Sequence, residues 1–455
     1  MTTAAKPVPA VAAYDPWSCA VNDDPFPYYA ALRRDAPVHH VANRGMWVIS
    51  RYEDVQRALA DTDAFSSSFV YVGKPIAVPS IEELERGWLA TDPDGVPSPA
   101  ELHRVPVDPT LVDPEEDTPL LASLAESDPP DHTRIRKLLT RPMSMNRIAG
   151  MQDLVQSLVD QRFADLARQV REHGRADVKS VLANPLTLAV SGHLMNIPES
   201  DVAMLGQLAE DSLGLFSLVP ESRRAEPSSY QPYAKYFRDR YTTRLAGAAR
   251  SESAAIAGAG APTDLMHSLL RADAGGDSMS SEEFAANAAV VFRAGFETTT
   301  NLVVSGLRTL FAHPDQLALL REDPSLIPSA VEEMLRYEGP LHGLFRVTTR
   351  DVAIGGAVIP AGSFVQVLFA SANRDGDHYP DADTFQVTRN PRDHVAFGAF
   401  KHLCLGANLA RLEARLVFEA LLGRTRNLRA AGPSPIVRHV VMRARSGLPI
   451  AFDEV

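Results

Sequence analysis

Cys404 is the residue with the clearest capacity for chemistry, and it is one of only two cysteines in the 455-residue chain. It lies in the run Phe397-Gly398-Ala399-Phe400-Lys401-His402-Leu403-Cys404-Leu405-Gly406, directly before residues 407–423, whose apolar spacing predicts a helix. The N–H groups and the dipole of a helix N-terminus favour an anion and lower the pKa of a thiol. These residues alone leave three roles open for the sulfur: nucleophile, redox sensor or metal ligand.

A carboxylate and a hydroxyl group stand side by side at Glu297 and Thr298, in the middle of a helix predicted over residues 281–312. Gly295 and the neighbouring threonines are poor helix formers, and a threonine side chain can bond back to the preceding turn and open the helix. Two interpretations remain. The segment is either a packing glycine with satisfied polar neighbours, or a groove in which a small ligand lies beside an acid–alcohol pair.

Glu333 and Arg336 form a third candidate pair, spaced i,i+3 on one face of a predicted helix. An isolated pair of this kind is usually a solvated surface pair. Here it directly precedes the break Tyr337-Glu338-Gly339-Pro340, where a buried ion pair could lock a turn.

The elements that must position these side chains are mainly helical, with a minor β part. Helices are predicted at 52–60, 134–140, 148–172, 198–218, 232–248, 263–272 and 281–312, and strands at 46–50, 352–358 and 364–369. Ser280 and Glu283 predict a capping box at the start of the long helix, and His313-Pro314 predicts its end. Residues 1–13 are expected to be a disordered lead, and nine prolines indicate that residues 74–119 form either a long irregular surface loop or a partly disordered flap.

Composition narrows the class of protein. Apolar residues make up 45% and charged residues 22%, which is ordinary for a globular protein. A net charge of −12 argues against nucleic acid or an anionic membrane as a general partner. No apolar stretch is long enough to span a membrane. Two distant cysteines give no disulfide framework, so a reducing cytoplasm is expected.

Six motifs, in this order between Asp24 and Leu448, resemble those of the cytochrome P450 haem-thiolate monooxygenases of the soluble bacterial type. They are Asp128-Pro129-Pro130-Asp131-His132-Thr133-Arg134-Ile135-Arg136, Ala294–Thr300, Glu333-x-x-Arg336, Phe345-Arg346-Val347-Thr348, Ala372-Asn373-Arg374-Asp375 and His394–Arg411. The resemblance implies one mainly α domain with minor β over residues 14–455, monomeric, with the haem between the long central helix and the cysteine loop.

The resemblance also implies roles for residues around a haem b. Cys404 would be the axial thiolate on the iron, hydrogen-bonded by the N–H groups of Leu405 and Gly406. Glu333 and Arg336 would be structural, packed beneath the haem. The haem propionates would be held by His132, Arg136, Arg346 and His402. Further cofactor contacts are implied for Ala294, Gly295, Phe397, Gly398 and Gly406.

On the oxygen side, the resemblance implies that Gly295 leaves room for dioxygen, while Thr298 and Glu297 deliver protons. The implied reaction places one oxygen atom from O₂ in an apolar C–H or C=C bond, with natural-product biosynthesis or catabolism as the setting. Electrons would come from NAD(P)H through a separate ferredoxin and reductase. The donor would dock on a cationic cluster that comprises Arg134, Lys137, Arg141 and Lys401.

The substrate is expected to be a hydrophobic or amphiphilic small molecule. By resemblance the roof of its pocket would come from residues 66–119 and 213–230. Its walls and floor would include Val290, Val291, Ala294, Leu341, His342, Leu344 and Val441. His342 would either bond a polar group of the substrate or turn away.

One residue departs from the family pattern: Phe400 stands where a glycine is usual, four positions before the cysteine. Its ring must point away from the haem or reshape the loop. Two alternative functions remain open: a haem-thiolate isomerase or dehydratase, and a non-catalytic module that recruits partners. Glu297 and Thr298 argue against the second.

Overall fold

The fold is known from a computed structural model, which describes residues 9–68, 83, 123–140, 142–211, 218, 232–240, 242–243, 265 and 279–454. Its α-helices are α1 (Cys19–Asp23), α2 (Phe26–Asp35), α3 (Tyr52–Ala60), α4 (Asp131–Thr140), α5 (Met145–Ala149), α6 (Gln152–His173), α7 (Asn184–Leu194), α8 (Glu199–Asp211), α9 (Ser281–Ala312), α10 (Pro314–Glu322), α11 (Ile327–Glu338), α12 (Phe369–Ala372) and α13 (Ala407–Gly423). Residues 232–240 and 242–243 are also helical. A π-helix, Lys179–Ala183, leads into α7.

The strands are short and lie mostly near the two ends of the chain. They are β1 (Val38–Val41), β2 (Met46–Ile49), β3 (Phe65–Ser66), β4 (Ala176–Asp177), β5 (Leu344–Thr348), β6 (Val352–Ile354), β7 (Ala357–Ile359), β8 (Phe364–Val367), β9 (Thr425–Ala430), β10 (Ile436–Val437), β11 (Ala444–Arg445) and β12 (Pro449–Glu454). Short 3-10 turns lie at Val11–Ala13, Leu124–Glu126, Pro324–Leu326 and Phe400–His402. The described structure is therefore mainly α with minor β, as the sequence predicts.

The largest sheet joins parts of the chain that are far apart in sequence. Its strand order is β1-β2-β8-β5-β3, and β2 pairs with β8 in parallel, with Met46 opposite Phe364. The sheet packs against α3 and α12 through buried apolar side chains. In a second sheet, β12 lies between β4 and β9.

The long helix α9 forms the centre of the helical part, and both of its predicted ends are confirmed. The Ser280 hydroxyl accepts a hydrogen bond from the Glu283 N–H at 3.1 Å, and the Glu283 carboxylate accepts one from the Ser280 N–H at 3.0 Å. This capping box satisfies two N–H groups that the helix leaves free. With 32 residues, α9 is about 48 Å long. It packs against α7, α11 and α13 in the main apolar core.

Three predictions of secondary structure need correction. The predicted strand 352–358 is a hairpin of β6 and β7, because Gly355 and Gly356 take positive φ values of 56° and 80°. The predicted helix 148–172 is divided at Gly150 into α5 and α6. Part of the predicted disordered lead is ordered, since Val11–Ala13 form a turn whose Val11 packs against an apolar cluster.

Several predictions fall wholly or partly outside the described residues. These are the lead before residue 9, the loop 74–119 apart from residue 83, and the later parts of the helices at 198–218, 232–248 and 263–272. Of the described residues in those three predictions, Glu199–Asp211, 232–240, 242–243 and 265 are helical. Pro198 precedes the first of these helices, and Leu218, predicted as its end, lies in a bend.

Candidate active site

A large cavity separates α9 from the loop that carries Cys404. One wall is made by a single face of α9, and the opposite side is made by the cysteine loop and the start of α13. Its described lining residues include Val290, Val291, Ala294, Gly295, Thr298, Thr299 and Leu302 on the first side, and Phe397, Gly398, His402, Leu403, Cys404, Leu405, Gly406, Leu409 and Ala410 on the second. The folded chain therefore brings the two motifs, separated by about a hundred residues, to opposite sides of one space.

The cysteine loop is held in a tight turn that presents the sulfur to the cavity. The Cys404 N–H donates to the Phe397 carbonyl at 2.8 Å, and Gly398 has a φ of +67° that favours glycine. Cys404 is exposed to the cavity, yet desolvation by the protein around it raises the pKa of its thiol, although the Gly406 and Ala407 N–H groups act to lower it. The expected net lowering of the thiol pKa by the helix N-terminus is therefore wrong for the free protein, because desolvation outweighs it.

Phe400 turns its ring away from the cavity. The residue is 53% exposed and has a φ of +54°, in the left-handed region that bulky residues rarely adopt. The loop thus keeps the backbone conformation that a glycine would take freely. Of the two outcomes open for this position, outward rotation of the ring is the one observed.

A carboxylate behind the loop fixes its position. Glu332 of α11 accepts two hydrogen bonds from Arg411, at 2.7 and 2.9 Å. Its carboxylate also lies 3.2 Å from Nε2 of His394. The Arg411 guanidinium lies 4.6 Å from the centre of the Phe397 ring. Burial alone would raise the pKa of Glu332, but its bonds with His394 and Arg411 prevail and lower it to about 2. No local pattern in the sequence identifies Glu332, because its partners His394 and Arg411 lie 62 and 79 residues away.

Four cationic or imidazole side chains gather at one edge of the cavity, as predicted for His132, Arg136, Arg346 and His402. The His132 ring is buried and neither of its nitrogens has a hydrogen-bond partner among the described residues. It lies 4.2 Å from the His402 ring, centre to centre. Burial lowers the pKa of Arg346 to about 10 and that of His402 to about 3. No carboxylate is found among the described lining residues, so this edge is suited to an anionic ligand.

The residues on the α9 side behave differently from one another. The Thr298 hydroxyl lines the cavity and donates to the Ala294 carbonyl one turn earlier, at 2.9 Å. Gly295 packs against α7: a Cβ atom there would lie 2.8 Å from the Ser191 hydroxyl oxygen. The packing interpretation of this glycine therefore holds, and the helix surface is also open to the cavity beside it.

Glu297 is not among the described lining residues, because its side chain leaves α9 about 100° around the helix from Thr298. Burial and the nearby Glu210 raise the pKa of Glu297 to about 7, while Lys179 and Arg293 act in the opposite direction. A carboxyl group with this pKa exchanges protons near neutral pH.

Glu333 and Arg336 form a fully buried ion pair. The guanidinium donates to both carboxylate oxygens at 2.7 and 2.8 Å, and each side chain has 0% exposure. Arg336 also donates to the carbonyls of Asn373, Ala382 and Thr384. The pair therefore ties α11 to the segment that leads to the cysteine loop.

The predicted pocket residues divide into two groups. Val290, Val291, Ala294, Leu341 and Leu344 line the cavity. His342 and Val441 are absent from its described lining, which corrects their assignment.

Buried contacts elsewhere explain this correction. The His342 ring bonds the Tyr29 hydroxyl at 2.9 Å, and the backbone N–H of His342 donates to the Val441 carbonyl at 2.8 Å. The Val441 side chain packs against the apolar cluster that contains Tyr14 and Trp17. Residues 69–82, 84–122, 212–217 and 219–231, which include most of the predicted roof, lie outside the described residues.

The predicted cationic docking cluster is smaller than expected. Arg134 forms an ion pair with Glu283 and is therefore largely neutralised. Lys137 and Lys401 are exposed, and the Lys401 ammonium group donates to the Thr62 hydroxyl at 3.0 Å. Arg141 lies outside the described residues.

The family model of cytochrome P450 matches residues 109–428 of this chain. The chain belongs to the cytochrome P450 family. This cytochrome P450 is 33% identical over 437 residues to the cytochrome P450 monooxygenase PikC of Streptomyces venezuelae, with 94% of this chain and 91% of the relative covered. It is 30% identical to the 6-deoxyerythronolide B hydroxylase of Saccharopolyspora erythraea, with 93% and 95% covered.

A solved structure of similar fold is that of the cytochrome P450 CYP109Q5 from Chondromyces apiculatus. It gives a TM-score of 0.76 at 29% identity and covers 98% of this chain and 99% of that one. The chain is thus an oxidoreductase of the monooxygenase type, in a family whose cofactor is a haem iron. None of the helices in the described part of the chain has the length and apolar character needed to cross a bilayer.

Proposed function

We propose that this cytochrome P450 inserts one oxygen atom from O₂ into an apolar small molecule, by hydroxylation or epoxidation. The observation that carries the proposal is the shared cavity, with the Cys404 sulfur on one side and the Thr298 hydroxyl on the other. When bound, a haem b supplies the activation of dioxygen, with one atom going to the substrate and the other to water. The chain's own residues determine how the cofactor, the protons and the substrate are placed.

The cofactor contacts follow from the chemistry of the lining residues. Cys404 would hold the iron as a thiolate, and binding to a metal removes the thiol proton that desolvation otherwise retains. His132, with two unpartnered buried nitrogens, Arg136, Arg346 and His402 would donate to the two propionate carboxylates. The polar edge thereby fits a dianionic group, and Phe397 and Gly398 would cover the thiolate side.

Proton delivery would be the task of Thr298 and Glu297. The Thr298 hydroxyl lies at the cavity wall and can pass a hydrogen bond inward. The side chain of Glu297, one residue earlier, leaves the helix about 100° away from that of Thr298, and its pKa is about 7. It can therefore take a proton from water and return it towards the cavity at neutral pH.

The substrate would be bound by apolar contacts. Val290, Val291 and Leu302 of α9 and Leu341 and Leu344 on the opposite side present hydrocarbon to the cavity. Such walls favour a hydrophobic or amphiphilic molecule and exclude a highly charged one. The relative named for hydroxylation of 6-deoxyerythronolide B supports a natural-product substrate.

The electrons would come from NAD(P)H through a separate ferredoxin and its reductase. Lys137 and Lys401 are exposed cations, with Lys401 in the cysteine loop itself. An acidic ferredoxin would be attracted to this surface although the whole chain has a charge of −12. We further propose that the enzyme acts as a monomer in the cytoplasm.

The ferrous protein treated with carbon monoxide tests the thiolate assignment. We expect a red-displaced Soret band in the wild type and its loss in Cys404→Ser, with the protein still folded by circular dichroism. A spectrum like that of an imidazole-ligated globin would refute the assignment. Substrate-dependent consumption of O₂ and NADPH with surrogate redox proteins separates a monooxygenase from an isomerase or dehydratase, which would consume neither.

Replacing Thr298 by alanine tests the oxygen-side role. We expect hydrogen peroxide in place of much of the product, because a positioned proton donor has been removed. Haem binding should be retained, because Thr298 lines the cavity wall opposite Cys404 and is not one of the residues proposed to hold the haem. Unchanged coupling between NADPH consumption and product would contradict the role.

A further inference from the structure

Phe400 combines an unfavourable backbone conformation with an exposed aromatic ring. Five residues other than glycine have a positive φ in the described part of the chain, and four of them are of the two types that tolerate it best: Asn196, Asp381, Asn390 and Asn427. The fifth is Phe400, a bulky residue, at +54°. Because the residue is 53% exposed, burial of the ring gives little in return.

The other exposed large apolar residues of the described chain lack this combination. Leu344 and Leu403 line the cavity, where cofactor and substrate would cover them. Met145 and Val358 are exposed but have ordinary φ values. Within the described residues, the Phe400 ring belongs to none of the three apolar clusters. Backbone strain that brings no packing inside the protein is typical of a functional position.

Hydrogen bonds to the residues that follow Phe400 fix the turn that carries it. The Lys401 ammonium group donates to the Thr62 hydroxyl at 3.0 Å, and the Arg136 guanidinium donates to the Leu403 carbonyl at 2.8 Å. The Leu403 N–H donates to the carbonyl of Phe400 itself at 3.2 Å. A ring presented on such an ordered turn loses little conformational freedom when another molecule covers it.

Positive charge surrounds this turn. Lys401 follows Phe400 directly and is exposed, as is Lys137 on α4, next to Arg136. Four basic groups act to lower the pKa of His402, two residues after Phe400: Arg346, His132, Arg136 and Lys401. The ring therefore lies in a region of positive potential on a chain whose net charge is −12.

We propose that Phe400 is the apolar anchor for the electron donor, and that the donor is a ferredoxin whose contact face has an apolar spot surrounded by carboxylates. Charges at the rim of an interface mainly speed association, whereas a buried aromatic anchor slows dissociation. Lys401 and Lys137 would attract the donor, and the Phe400 ring would hold it against the loop that carries Cys404. The inference rests on the proposed function, in which electrons come from a ferredoxin.

The test uses a plant-type [2Fe–2S] ferredoxin, kept reduced by NADPH and its reductase, and the haem-loaded protein under carbon monoxide. Each reduced ferredoxin gives up one electron, and the ferric protein becomes ferrous. The appearance rate of the ferrous carbon monoxide band against ferredoxin concentration gives an apparent Kd. We expect Phe400→Ala to raise this Kd on the order of 10-fold and Phe400→Tyr to leave it near the wild-type value. An unchanged Kd in Phe400→Ala would overturn the proposal.

Salt and a small reductant separate the contact from other effects. The ring carries no charge, so the ratio of the two Kd values should be the same at low and high salt. Reduction by dithionite, which needs no docking, should be equally fast in the wild type and in Phe400→Ala. A variant that dithionite also reduces slowly would indicate a changed haem site and would count against an anchor.

Phe400→Gly separates anchoring from loop geometry. Glycine adopts a positive φ freely, so the turn keeps its conformation and the strain is removed. We expect the same weakened binding as in Phe400→Ala, an unchanged carbon monoxide spectrum, and a urea midpoint no lower than that of the wild type. A lower midpoint or an altered spectrum would show that the ring stabilises the loop, and the anchor role would be wrong.

Val358→Ala is the matched control, because Val358 is 58% exposed but lies in the β6–β7 hairpin, outside the cysteine loop. Its Kd should equal that of the wild type. If salt and Lys401→Glu slow reduction while the Phe400 variants behave like the wild type, the inference fails alone. If ferredoxin does not reduce the wild type and dithionite does, the proposed class of electron donor fails as well.

Discussion

Replacing Glu332 by glutamine removes the charge that holds the back of the cysteine loop. The carboxylate, with a side chain only 4% exposed, binds Arg411 through both oxygens and also contacts His394. Arg411 in turn lies over the Phe397 ring. Glutamine has nearly the same shape but cannot bind a guanidinium as an anion does, so it leaves a partly buried cation and a buried imidazole without their counter-charge.

The size of the effect follows from the pKa of Glu332, which is lowered from 4.5 to about 2. A difference of this size is worth about 3 kcal/mol of folding free energy. Because the folded-state pKa lies below the unfolded value, this stability is fully present above pH 4.5 and is lost as the pH falls towards 2. Linkage gives about 3 kcal/mol at pH 7 and about 2 kcal/mol at pH 3.5.

Urea unfolding of the haem-loaded proteins, followed by circular dichroism at pH 7 and pH 3.5, measures this contribution. Glu419→Gln is the control, since Glu419 pairs with Arg415 on the exposed side of α13 and should cost less than about 0.5 kcal/mol. The reasoning is wrong if Glu332→Gln destabilises no more than the control. It is equally wrong if the difference from wild type grows as the pH is lowered.

Three further predictions concern packing, the buried ion pair and docking. Gly295→Ala should change the free energy of unfolding in urea by less than about 1 kcal/mol. The Ser191 hydroxyl that the new Cβ would meet at 2.8 Å ends a rotatable side chain, and alanine favours the helix. A loss above about 2 kcal/mol would contradict this. Arg336→Lys should lower the free energy of unfolding by about 3–5 kcal/mol and the haem content markedly. An ammonium group cannot make the hydrogen bonds that the guanidinium makes to Glu333 and to three carbonyls. Full haem content in the variant would argue against this prediction. Reduction by an acidic ferredoxin should slow with added salt and in Lys401→Glu; a rate indifferent to both would exclude electrostatic docking.

The features predicted well from sequence are those with local signals. The start of α9 was correctly placed because Ser280 and Glu283 bond each other across three residues. The motifs around Cys404 and Thr298 predict that both residues face the haem site, and both line the same cavity. Periodicity alone leaves their roles open. The expectation for Phe400 followed from backbone sterics, and the outward ring meets it.

The features missed depend on contacts between distant segments. The helix that follows Cys404 predicts a lowered thiol pKa, whereas desolvation by the protein that lines the cavity raises it. His342 directly follows the cavity residue Leu341 in sequence, but Tyr29, 313 residues away, holds its ring outside the cavity. The π-helix before α7 and the close approach at Ser191 were also not predicted, because a glycine at 295 does not identify the helix that packs on it.

The parallel pairing of β2 with β8 has a consequence for biogenesis. Met46–Ile49 leave the ribosome early, yet their hydrogen-bonding partners, Phe364–Val367, are synthesised more than three hundred residues later. A contact of such high sequence separation forms slowly and leaves strand edges unprotected in the meantime. The ribosome must therefore synthesise most of the chain before this sheet can form. Truncated products that end before β8 should depend on chaperones and should be degraded early by proteases.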